Sequence, residues 1–350
     1  MKNFIKSIVI LVFLGIVACE PNDTVAPIPP SDGDLIEPNV GGPDQPNQVF
    51  IDLSTATTTE VVKTSWDLAF STGAEFRVAL NYASFMSARP TDNNDLAMIS
   101  SNLVTEEYKA EMYTGPDCIV SWVDDPSGDL SKTAIDAVSA SDAENLVFVL
   151  YRGYYKSGDQ SIDRGFKKIK ITLEGQNYVI TYGDIDDTSF KTQTITKDAN
   201  YNFIFFSFDN GIVSVEPEKS KWDIAMTTAT LHTAADNGLM VPYNFPDISI
   251  TNQANMKIAA VETGTDISYE NFTLVDANGL QLQQNRLGIG SSWRAFDFAS
   301  FMYNVKDNIF YVIEDADGNL YKLAFTRMLC LEVACAGDRG YPEFTYELLK

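Results

Sequence analysis

The sequence predicts a mainly β protein: antiparallel and β-rich, two related tandem units packed together, with few short helices. Three observations predict it. β-branched and aromatic runs recur from Val49 to the C-terminus, tight-turn residues separate them, and the chain echoes itself at a spacing of 156 residues. The 350 residues, 45% apolar, are enough for one large core or two medium ones.

At the N-terminus, Lys2 and Lys6 precede an apolar stretch from Ile8 to Ala18. It is too short to span a bilayer and has the length of a signal peptide. It ends Ile16-Val17-Ala18-Cys19, which resembles a bacterial lipobox. The expectation is a signal peptide over 1–18 and a mature chain starting at a lipidated Cys19. Residues 20–47 hold seven of the 14 prolines, six acidic residues and no Lys or Arg. Such a stretch buries too little apolar surface to offset its ordering entropy, so 19–47 is expected to be a lipidated, acidic, Pro-rich tether. Glu20 and Asp23 close behind the cysteine resemble the surface-export pattern of Bacteroidetes lipoproteins. That implies an outer-membrane, lipid-anchored protein at the cell surface. No later apolar run reaches about 18 residues, so the lipid would be the only membrane attachment.

From Val49 onward, strand-like runs include Leu146 to Tyr151, Lys168 to Leu173, Tyr178 to Tyr182, Asn202 to Phe208, Asn308 to Glu314 and Tyr321 to Thr326. Turn signals lie between them: Asp209-Asn210-Gly211, Asn278-Gly279, and Asp315-Ala316-Asp317-Gly318-Asn319. The last lacks the spacing and closing glutamate of a calcium loop and reads as a hairpin turn. Helices are expected over Asp95 to Met112 and Leu130 to Glu144. Shifted by 156, Phe50 falls on Phe206, and Trp66-Asp67-Leu68-Ala69-Phe70 on Trp222-Asp223-Ile224-Ala225-Met226. The units are therefore expected at 48–192 and 193–350. The physical reading of Trp-Asp-φ-Ala-φ is a buried strand whose aspartate satisfies nearby backbone N–H groups.

Chemistry is sparse. A net charge of −23 disfavours phosphate-tracking contacts, so no nucleic-acid partner is expected. A single histidine excludes bis-histidine and three-histidine sites. No His-Glu-x-x-His, Gly-x-Ser-x-Gly or Walker-type loop occurs, and the chain is expected not to be an enzyme. Cys330 and Cys335 could close a small disulfide loop, whereas Cys118 has no obvious partner.

The aromatic run Phe205-Phe206-Ser207-Phe208, a turn, and then Trp222-Asp223-Ile224-Ala225 resembles the opening of the HmuY-like family of haem-binding lipoproteins. The C-terminal block is also similar: Gly290-Ser291-Ser292-Trp293, Phe310-Tyr311-Val312, Asp317-Gly318-Asn319, Tyr321-Lys322-Leu323 and Phe344-Thr345-Tyr346. The resemblance covers about 195–350 well and 48–190 more loosely. It implies a surface lipoprotein that takes haem b from host or environmental haemoproteins, with an outer-membrane receptor as a further partner. The family's paired axial ligands are histidines or methionines, and here histidine alone cannot supply both. Candidate haem-binding residues are thus Met86, Met112, His232 and Met240. Met86 and Met240 follow Trp66 and Trp222 by 20 and 18 residues, and Met112 would partner Met86. The commoner role of a methionine is a core filler, and of a lone histidine a half-exposed polar residue. The alternative function is a cofactor-free adhesion or glycan-binding module that stacks sugars on some of the 41 aromatics.

Overall fold

The computed structural model describes residues 29–104, 108, 120–235, 238–254, 256–299 and 301–350. Residues 1–28, where a signal peptide and a lipidated Cys19 are expected, Met112 and Cys118 lie outside the described residues. Among those described, four antiparallel sheets stack with five, four, four and five strands. The first five-stranded sheet runs Lys191–Ile195, Asn177–Gly183, Phe166–Glu174, Phe148–Tyr151, Ser87–Pro90, and its four-stranded neighbour runs Gly211–Val213, Phe203–Ser207, Leu68–Ser71, Val78–Leu80. The second four-stranded sheet runs Met240–Thr251, Ile224–Ala234, Asn47–Asp52, Thr57–Val62. The last sheet runs Gly33–Ile36, Arg339–Leu348, Leu320–Leu329, Ile309–Glu314, Lys257–Glu262.

Side-chain alternation builds the layers. Val49 and Ile51 point into the core shared with Tyr311, Ile313 and Leu323, while Phe50 between them points into the central core. Leu68 and Phe70 face the other outer core with Ile169 and Tyr178, and Ala69 faces the centre with Phe205 and Ala225. The inner strands Phe203–Ser207 and Leu68–Ser71 are covered on both faces and read as continuous apolar runs, whereas Thr57–Val62 at the edge of the other inner sheet is exposed. Each buried Phe or Leu contributes roughly 1.5–3 kcal/mol of transfer free energy.

Strands from the two ends of the sequence are exchanged. Asn47–Asp52 pairs with Ile224–Ala234, whereas Phe203–Ser207 pairs with Leu68–Ser71. Gly33–Ile36 likewise pairs with Arg339–Leu348. Spatially, one half is a continuous stretch of about 66–213, and the other is 222–350 closed by the N-terminal segment. This corrects the division at 192/193. It also corrects the tether, because residues 33–47 are built into the fold. Ile36, Val40 and Gln45 are buried there, and the Gln45 side chain accepts from Asp247 N–H and donates to its carboxylate.

The matching around the two tryptophans is close. Asp67 N–H donates to Phe206 O and Asp223 N–H to Ile51 O, each at 2.8 Å. Asp67 accepts from Phe208 N–H at 2.9 Å and Asp223 from Leu53 N–H at 2.8 Å. Asn81 Nδ2 donates to Trp66 O, and Asn252 Nδ2 to Trp222 O. The structural counterpart of Phe50 is therefore Phe205, not Phe206. One extra residue precedes Trp222, and a one-residue slip moves a strand residue to the opposite face: Phe206 lies in an outer core, Phe50 in the centre.

The predicted helices are corrected too. Asp95 caps a 3-10 turn at Leu96–Met98 by accepting from Ala97 N–H, and a bend follows; most of 105–119 is outside the described residues. Leu130 to Glu144 holds two 3-10 turns, Leu130–Lys132 and Asp142–Glu144, joined by extended chain. Its apolar residues Ile135 and Val138 instead pack individually into the outer core. The only α-helix among the described residues is Leu274–Ala277, followed by Asn278-Gly279. Asp315 does close a hairpin turn, its carboxylate accepting from Asp317 and Asn319 N–H groups. Cys330 and Cys335 form a disulfide.

Candidate functional site

At one edge of the central core lies a cavity of about 490 Å³, a size suited to a small organic ligand. Strand alternation delivers its walls. Trp66, Phe203, Phe205 and Trp222 line it, and the Trp66 and Phe205 rings meet edge to face at 4.9 Å. Gln48 fixes one side: its Oε1 accepts from Trp66 Nε1 at 2.9 Å while its Nε2 donates to the Tyr82 hydroxyl at 2.8 Å. A strap of about 124–133 from the first half covers the cavity. It is held to the second half by Arg286, which donates to Pro126 O at 3.2 Å, and by Gln253, which donates to Ser127 O at 3.0 Å. Gly128 makes this approach possible: its φ is +78°, and a Cβ there would lie 2.4 Å from Gln253 Oε1.

The polar lining converges on the Arg286 guanidinium, which stacks over the Tyr82 ring at 4.3 Å. Asp124 accepts from Leu80 N–H at 2.6 Å and Ala134 N–H at 2.8 Å. Burial nevertheless pushes its carboxyl up to about 6. Burial also lifts Glu216 to about 7; its one side-chain partner is Asn202, at 3.4 Å. Tyr82 is pushed up to about 12, again by burial. Two raised carboxyls beside aromatic walls in one cavity make it a candidate binding site.

The sequence candidates separate around this cavity. Met86 lines it and is buried beside Leu68 and Phe70. His232 lies on the Ile224–Ala234 strand, two residues beyond cavity-lining Thr230. Its Nε2 is buried with no hydrogen-bond partner among the described residues, and burial lowers its pKa against the opposing pull of Asp125. Met240 pairs with Ala234 and Pro242 with His232, so Met240 and His232 share one face as diagonal neighbours. Met240 is half exposed. The structure thus brings His232 and Met240 together and leaves Met86 apart. Sequence reasoning missed Tyr82, Asp124, Glu216 and Arg286, which come from four separate segments and form no motif. The tryptophans were read as core, and they are, but their edges also wall the cavity.

Taken together, this is an all-β protein of stacked antiparallel sheets enclosing a ligand-sized cavity. A family model described as HmuY protein matches residues 44–346, and the chain belongs to the HmuY family. A solved structure described as an HmuY-like heme binding protein from Bacteroides vulgatus is similar over 90% of this chain and 91% of its own, at 10% identity and a TM-score of 0.23. Apo PinO from Porphyromonas gingivitis matches over 53% of this chain and 97% of its own, at 17% identity and a TM-score of 0.22. No curated protein matches the chain.

Proposed function

We propose that this protein binds haem b as a lipid-anchored, haemophore-like acquisition protein of the outer membrane. The observation that carries the reading is membership of the HmuY family across 44–346. The matched bonds around Trp66 and Trp222 support treating the halves as two related units. The lipobox-like Ile16-Val17-Ala18-Cys19 supports acylation at Cys19 and display at the cell surface, where haemoproteins and a receptor are accessible partners.

His232 fits the donor chemistry. An uncompensated buried nitrogen costs about 1–3 kcal/mol, and a metal bond would recover that cost. Its lowered pKa keeps the imidazole neutral and able to ligate at neutral pH. Met240 offers a soft thioether on the same face. Because the two are neighbours on one face, they are alternatives for one donor position rather than a facing pair; Met112, the proposed partner of Met86, lies outside the described residues. Met86 is the less suitable donor, being packed in the wall of a cavity lined by Asp124, Asp125, Asp129 and Glu216 against only Arg286 and Lys219. Haem, when bound, would supply an iron that His232 or Met240 could hold.

The test is titration of haemin into oxidised and dithionite-reduced protein, followed at the Soret band. A shifted band in wild type, altered in His232→Ala or Met240→Ala and unchanged in Met86→Ala, is the expected result. Absence of any Soret shift in wild type overturns the reading.

A further inference from the structure

We propose that the cavity walled by Trp66, Phe203, Phe205 and Trp222 is a second binding site, for a small organic ammonium ion with an aromatic or apolar body. This goes beyond haem binding and does not depend on it.

The walls supply the first half of the argument. Aromatic faces and edges from both inner sheets, together with Leu80, bound one continuous space of about 490 Å³. Aromatic boxes favour cations through the ring quadrupole as well as through apolar burial. The charges supply the second half. Four carboxyl groups line the space, Asp124, Asp125, Asp129 and Glu216, against two cations, Arg286 and Lys219. Asp129 is largely engaged with Ser131 and Lys132 at the strap surface, and Asp125 with Ser127. Asp124 is tied to two backbone N–H groups.

Glu216 is different. It receives one long bond from Asn202, whose amide also donates to Asn252. Burial holds its carboxyl near pH 7, because the cavity offers too little to stabilise the anion. An ammonium group placed against it would provide the missing counter-charge and displace its proton. Arg286 does not already do so in full: it spends a hydrogen bond on Pro126 O and lies over Tyr82. An anionic ligand would face the opposite situation, with carboxyls outnumbering the cations around it.

The strap sets access. Residues 126–128 cross from the first half and are held by Gln253 and Arg286, so a ligand in the cavity touches both halves of the molecule. Binding should therefore also raise thermal stability.

The experiment uses the full chain without haem, titrated calorimetrically with tryptamine, with 3-indolepropionate as the anionic match and indole as the neutral one. Tryptamine is expected to bind at least tenfold more tightly than either at pH 8. Its affinity is expected to fall about tenfold by pH 5.5, as Glu216 takes up a proton, with Asp124, Asp125, Asp129, Tyr82, Lys219 and Arg286 as the other titratable groups facing it. Glu216→Gln, which keeps the shape and the Asn202 contact, should lose most of the preference and most of the pH dependence. Its melting temperature checks that it folds. Equal or tighter binding of 3-indolepropionate, or no tryptamine binding by folded wild type, overturns the proposal. So does an unchanged preference in Glu216→Gln. Haemin added at saturation should leave tryptamine affinity unchanged; displacement would mean that haem occupies the cavity and would overturn the assignment of a separate site.

Discussion

Asp67 and Asp223 occupy the same place in the two halves, follow matching tryptophans and accept matching backbone bonds, yet their surroundings are opposite. Asp67 is fully buried between two arginines. Arg152 Nε and Nη2 donate to its two oxygens at 3.0 Å each, and Arg164 Nη2 adds a bond at 2.8 Å. Asp223 has no such cation. Arg152 directly follows the Phe148–Tyr151 strand; directly after the corresponding strand, Ile309–Glu314, stands Asp315. Asp52, Asp315 and Asp317 add repulsion to burial and raise the Asp223 carboxyl to about 7. The same motif is thus an ion-pair hub in one half and a carboxyl close to neutral in the other. A Trp-Asp strand needs the hydrogen bond from the exchanged strand; it does not need the charge.

This contrast can be broken most severely at Asp67. Asp67→Ala would leave Arg152 and Arg164 buried, with Asp209 as the remaining carboxylate for Arg152. Removing one partner of a buried pair costs about 3–5 kcal/mol, so urea unfolding should show a loss of that size. The second half should respond weakly by comparison. Asp223→Asn keeps an acceptor for Leu53 N–H and removes a carboxyl whose ionisation the fold opposes. A loss at Asp223→Asn as large as at Asp67→Ala would mean that the two sites are equivalent after all.

A smaller effect tests the exchange of strands. Removing residues up to 37 deletes the Gly33–Ile36 edge strand and the burial of Ile36 in the second outer core, and leaves Val40 and Gln45 in place. One apolar side chain at about 1.5–3 kcal/mol sets the size of the loss. It should be local, appearing as faster amide exchange across 339–348 while 166–183 in the other half stays protected.

The strands were legible in the sequence, in the outer sheets as well as the inner ones, because β-branched and aromatic residues recur in runs such as 168–173 and 203–207; their stacking in four layers was not. The Asp315 turn was legible for a local reason: its side chain caps its own loop. Arg152 and Arg164 were not, since their partner lies 85 and 97 residues away. Nor was the role of Gly33–Ile36, whose polar, Pro-flanked composition is that of a tether and whose strand exists only through the ladder with Arg339–Leu348. The cavity was hidden for the same reason. Tyr82, Asp124, Glu216 and Arg286 are scattered along the chain, and only the crossing of strap 124–133 between halves brings them together.

The most delicate way to sharpen the comparison is its pH dependence. For Asp223 the folded-state pKa, about 7, lies above the ordinary aspartate value of 3.8, so the native protein binds the proton more tightly than the unfolded chain. The contribution is therefore favourable at low pH and is lost as pH rises from about 4 through 7; above that the ionised carboxylate faces Asp52, Asp315 and Asp317 at full cost. Two cavity-lining carboxyls, Glu216 and Asp124, are also raised and push in the same direction, so the wild-type slope is shared among the three. The difference between wild type and Asp223→Asn isolates Asp223. That variant should be no more stable than wild type at pH 5 and gain relative to it by pH 8, in denaturant melts at constant ionic strength. A difference that is flat across pH 5 to 8 would show that Asp223 keeps one charge state throughout. The absence of an arginine beside it would then have no electrostatic consequence.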